Sequence, residues 1–158
     1  ISACLVGSEM CIRDRYMKII SHNPEKIKCI QSGIIGVQDG QRIGEQIHYY
    51  KNLNEFKQQC MVRSPVNTPT VIFHKSLWPI FQHTRAIDNQ KLPIAGSEDY
   101  DQYCNLADNG VFIYPVSSCL GYFYRWHEGQ STWKVHQDPH LQKYDKVIQE
   151  YWKKEWTL

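Results

Sequence analysis

The sequence has no apolar run near the roughly 18 residues that would cross a bilayer, so no membrane-spanning helix is expected. It carries little excess charge of either sign. Eighteen Lys and Arg against 16 Asp and Glu leave a formal net charge of +2, too mild to point to nucleic acid. It has no CxxC pair, no Cys/His set at zinc-finger spacing, and no HxxEH or HxH cluster. The six cysteines, at 4, 11, 29, 60, 104 and 119, are scattered singly. That pattern implies reduced, mostly buried thiols and a cytoplasmic setting rather than a disulfide framework. Internal repeats and low-complexity stretches are also missing. What remains is 158 residues, 42% hydrophobic and 13% aromatic. That suits one globular domain burying about two thirds of its extended surface.

The first fifteen residues stand apart. The chain opens at Ile1 as ISACLVGSEMCIRDR. Arg13, Asp14 and Arg15 follow the short apolar piece, which puts the charge on the wrong side for a secretory signal. Residues 4–15 match one reading frame of a sequencing adapter. Residues 1–15 are therefore read as adapter-derived, with natural sequence beginning near Arg15 or Tyr16. Cys4 and Cys11 then drop out of the chemistry. Native genomic sequence running straight through codons 4 to 15 would overturn this reading.

From Tyr16 onward strands and helices alternate, which predicts an α/β or α+β fold with a mixed sheet. Tyr16 to His22 reads as the end of a helix stopped at Asn23-Pro24. Residues 27–38 read as a buried strand, closed by an Asp39-Gly40 turn with a short return strand. Asn52 to Met61 reads as a helix, with Asn52 as N-cap, Glu55 in a capping box, and Leu53, Phe56 and Cys60 on one face. A two-proline loop follows, then a strand at Thr70–Phe73 and a helical turn over His74–Phe81. Residues 82–96 show no periodicity and read as a long loop. Ser97 is expected to cap a helix that ends at Gly110, with Tyr103, Leu106 and Ala107 inward. Val111–Val116 and Cys119–Trp126 read as two strands. Asp138-Pro139 opens an amphipathic helix reaching Trp156. The domain boundaries that follow are 1–15, 16–135 and 136–158.

Three segments carry candidate chemistry, in order: TPTVIFHKS from Thr68 to Ser76, SEDYDQY from Ser97 to Tyr103 followed by LADNG, and GYFYRWHEGQST from Gly121 to Thr132. Glu98 and Asp99 stand at a helix start. The dipole there would hold a carboxylate ionised, ready to take a proton; alternatively both acids merely favour the helix. Asp101 reads as a solvated helix residue. Arg125 and His127 lie two apart, so on a strand they share a face and would suit a diphosphate and its metal; alternatively they are surface residues. Trp126 would point the other way, into the core. His22, His48, His74, His83, His136 and His140 read as surface or loop residues.

The ordered set resembles the acceptor-side half of a family 2 glycosyltransferase with the GT-A fold, over about residues 16 to 135. The resemblance implies a partial GT-A, Rossmann-like nucleotide-diphospho-sugar transferase fold. It implies Asp99 as the base of an inverting sugar transfer, with Glu98 contacting the acceptor or orienting the site. It implies Arg125 on the diphosphate, His127 as a metal ligand, and Mg²⁺ or Mn²⁺ as cofactor. The partners implied are a nucleotide-sugar donor and a sugar or lipid-linked acceptor, in the cytoplasm or at the inner membrane face, for polysaccharide biosynthesis. No DxD precedes Glu98, and Asp39 and Asp88 are isolated. The family's donor-binding N-terminal half is thus expected to be missing and the fragment inactive. An unpaired sheet edge and poor solubility would follow. Two other classes compete: a non-catalytic GT-A-like binding module, and a weaker metal-dependent hydrolase using Asp99 and His127.

Overall fold

The computed structural model describes residues 8–92, 97–130 and 137–157. Its axis is strand β1, Cys29–Gln38, which the Ile- and Val-rich composition makes apolar on both faces. Asp39 and Gly40 both adopt left-handed backbone, with φ of 51° and 77°, and pair Gln38 with Gln41 across a two-residue hairpin. This geometry matches the twist of the flanking strands, and glycine accepts it without a Cβ penalty. The return strand β2, Gln41–Gln46, is exposed along its whole length. A two-residue strand β3, Ile72–Phe73, pairs antiparallel with the other end of β1. Thr70, expected in that strand, lies instead in a single 3₁₀ turn over Thr68–Thr70.

The long strand β4, Ile113–Arg125, runs parallel to β1. Two strands were expected here. One continuous strand forms, because residues 117–119 bulge out between the pairs Ser32–Val116 and Gly33–Leu120. The bulge sits against Gly33, where a Cβ would come 2.8 Å from Leu120 Cδ2 and 2.9 Å from Ile47 Cγ1. The result is a mixed four-stranded sheet with β1 inside. Among the described residues no strand pairs with the outer edge of β4, as expected for an open sheet.

Helices cover both faces. Helix α1, Ser8–His22, begins well before Tyr16. It packs Tyr16, with Ile12, Ile19 and Ile20, against Ile30, Val116 and Cys119. Residues 1–7 lie outside the described residues. The other face carries the larger core, gathered around α5, Glu98–Asp108, whose Tyr100, Tyr103, Cys104, Leu106 and Ala107 are all buried. Against it pack α2 (Leu53–Cys60), α3 (Trp78–Phe81), α4 (Arg85–Asn89) and α6 (Pro139–Thr157). The expected capping of α2 is present: Asn52 Oδ1 accepts from Glu55 N at 2.9 Å, and Glu55 reaches back to Lys51 N. The expected loop at 82–96 contains α4, a five-residue segment without periodicity that forms because Ala86 and Ile87 dock into the core. Residues 93–96 of that loop lie outside the described residues. Cys29, Cys60, Cys104 and Cys119 are free and buried, as their scatter implied. Among the described residues no helix is long and apolar enough to cross a membrane.

Candidate functional site

A buried polar staple behind the sheet builds the site from below. Gln31 on β1 is buried; its amide donates to Tyr50 Oη and to Pro65 O, and its Oε1 accepts from Asn67 N at 2.8 Å. Asn67 in turn donates to Ser32 O and Gln46 O. Thr70 Oγ1 accepts from Ser32 N at 3.0 Å. These bonds satisfy buried groups that would otherwise cost about 1–3 kcal/mol each, and they pin the two-proline loop to β1. The loop thereby presents Thr68 to the first turn of α5, where its hydroxyl donates to Asp99 Oδ2 at 2.6 Å.

Asp99 lines a cleft of about 390 Å³ between the loop, α5, the end of β4 and α6. Its Oδ1 accepts from Tyr100 N at 2.8 Å. Burial pushes its carboxyl above the usual carboxylate range; the bonds from Thr68 and Tyr100 N pull it back, and the charges of Glu98 and Asp145 push it up again. The helix start alone therefore does not set its proton affinity: burial is the largest influence and raises it above the ordinary carboxyl value. Glu98, beside it, is half-buried. Ser97 occupies the N-cap position with ψ of 14° but makes no capping bond. Its hydroxyl instead donates to Asp145 Oδ1 on α6 at 2.8 Å. Asp145 therefore joins Asp99 in the cleft wall.

The aromatic end of β4 divides differently from the sequence expectation. Tyr124 and Trp126 line the cleft, their rings 5.2 Å apart and inclined at 67°. Trp126 is half-buried rather than core, because the strand ends at Arg125 and leaves the indole at the sheet rim. Arg125 is the last strand residue and is exposed. His127, also exposed, starts a turn in which its N bonds Gln130 Oε1. Neither is among the residues lining the cleft with Asp99. Among the described residues no group of three or more His, Cys, Asp or Glu side chains converges on a point that could hold a metal ion. The chain's described donor set therefore does not by itself fit a divalent cation.

One residue departs most from its sequence reading. Asp101 is fully buried, not solvated: its Oδ1 accepts from Trp152 Nε1 at 2.7 Å and its Oδ2 from Ile87 N at 3.0 Å. His48 lies in the loop after β2, within its surface-or-loop reading, but is buried there, its pKa lowered to about 4 by desolvation and by Arg63. Of the other histidines read as surface or loop residues, His22, His74 and His83 are exposed. His136, and the side chain of His140, lie outside the described residues. The buried roles of Asp101, Gln31 and Asn67 carried no motif; only the i, i+3 spacing of Asp101 to Cys104 hinted at a shared helix face. A second hollow of about 670 Å³ lies by α3 and α4, but its Arg85 is already paired with Asp108 and Glu155. The cleft at Asp99 is where carboxylates and aromatic surface meet.

No family model, curated protein or solved structure matches the chain.

Proposed function

We propose that the chain is the acceptor-side part of an inverting glycosyltransferase, with Asp99 as the base. Supporting this reading is one observation above the rest: a desolvated carboxylate with raised proton affinity, held by Thr68 and Tyr100 N, in the wall of a cleft lined by two aromatic side chains. In the reaction the acceptor hydroxyl oxygen attacks the anomeric carbon of a nucleotide sugar. The new C–O bond forms as the bond to the diphosphate breaks, and the nucleoside diphosphate leaves. The hydroxyl proton goes to the Asp99 carboxylate, whose high proton affinity suits that transfer. Glu98, beside the base, contacts the acceptor or orients the site. Arg125, exposed at the end of β4, and His127 in the turn beyond it are assigned to the donor diphosphate side. Mg²⁺ or Mn²⁺, implied by the family resemblance, would need ligands beyond the described donor set. The reaction would serve glycan or polysaccharide assembly in the cytoplasm or at the inner membrane face.

The test is transfer from a panel of nucleotide sugars by the reading frame extended upstream in the source DNA. Asp99→Asn should lower kcat by about 100-fold or more. Near-normal transfer by that variant removes Asp99 from the mechanism. A second reading, a GT-A-like module that binds sugar without transferring it, is favoured by the position of Arg125 and His127 outside the cleft lining. It predicts saturable sugar binding and no turnover.

A further inference from the structure

Asp145 enters the cleft from α6, a part of the chain that none of the three sequence motifs reaches. It is not a loose surface acid. Ser97, itself buried, donates to its Oδ1 at 2.8 Å. The helix that carries it is locked to α5 by the Trp152–Asp101 bond and the Trp156 Nε1–Asp108 bond. A carboxylate accepts up to about four hydrogen bonds, so the bond from Ser97 does not saturate it. Tyr124 and Trp126 line the same cleft.

We infer that Asp145 and the Tyr124–Trp126 pair form a binding subsite for a neutral, hydroxyl-rich ligand, a sugar unit whose hydroxyls donate to Asp145 and whose apolar ring face lies on the indole. The charges in the wall argue for this class. Two carboxylates, Asp99 and Asp145, face the cleft against one guanidinium, Arg63, which disfavours a phosphate or an acidic sugar. A neutral hydroxyl forms a charge-assisted bond with a fixed carboxylate, and an aromatic face supplies apolar area at low entropy cost. The inference rests on the transferase reading only in making this sugar the acceptor.

The test uses the 158-residue chain on an array of neutral oligosaccharides, followed by calorimetric titration of the tightest binder. Asp145→Asn keeps an acceptor for Ser97 but removes the charge; it should weaken binding about tenfold. Trp126→Ala should do the same, while Lys143→Gln, exposed on the same helix, should leave affinity unchanged. The melting temperature of each variant, followed by circular dichroism, separates a lost contact from a lost fold. Absence of any binder, or wild-type affinity in a folded Asp145→Asn protein, overturns the assignment. In the extended protein, Asp145→Asn should raise the acceptor KM with little change in kcat. Transfer with an unaltered acceptor KM would sink the subsite and spare the transferase; Asp145-dependent binding without any transfer would do the reverse.

Discussion

Asp101→Ala removes a carboxylate that joins three helices beneath the cleft. The residue is 0% exposed and accepts one bond from Trp152 Nε1 on α6 and one from Ile87 N on α4. Alanine leaves both donors buried and unpaired, at about 1–3 kcal/mol each, or about 4 kcal/mol together. Part of that is offset because the wild-type carboxyl is itself costly to bury, as its pKa, raised chiefly by desolvation, indicates. A net loss of about 3 kcal/mol is expected, lowering Tm by about 6–12 °C in a domain of this size. Asn retains one acceptor and should fall between. In a double-mutant cycle with Trp152→Phe, the coupling should be about 1.5–3 kcal/mol. The sign with pH is also determined. The folded state holds the Asp101 proton more tightly than the unfolded chain, whose carboxyl titrates near 3.8, so its contribution is fullest below that value and is lost as pH rises through the folded value. Thermal melts by calorimetry read all of this. An Asp101→Ala protein melting within about 2 °C of wild type would refute the reasoning, because two buried donors cannot be orphaned at so small a cost.

Three other outcomes are expected. Thr68→Val deletes a hydrogen bond that lowers the Asp99 pKa, so the acid limb of the kcat/KM profile for sugar transfer should move to still higher pH; an unmoved limb would separate Thr68 from the base. His48 is neutral and buried with its pKa lowered to about 4, so stability should fall as pH drops from 6.5 towards 4, by up to about 3 kcal/mol, and His48→Gln should flatten that slope in urea titrations. Phe123 is 53% exposed on the outermost strand, so Phe123→Lys should reduce concentration-dependent light scattering with little change in Tm; unchanged scattering would mean that this edge does not drive association.

Much of the frame is legible in the sequence because its signals are local. Asp39-Gly40 can turn in few ways, Asn52 and Glu55 cap the helix they start, and the spacing of Tyr103, Leu106 and Ala107 marks the inward face of α5. The scatter of the cysteines already implied free, buried thiols. The two acids at the head of α5 also stand where the sequence placed them. Long-range events decided the rest. Whether residues 117–119 ended a strand or bulged from it depended on Gly33 in a strand far away in the chain. Ser97 and Asp101 looked like a cap and a solvated acid because local spacing cannot show a helix arriving from residues 139–157. That helix took the Ser97 hydroxyl with Asp145 and buried Asp101 under Trp152. The proton affinity of Asp99 followed the same rule: a helix terminus is written in the neighbouring residues, but desolvation depends on everything that folds over them.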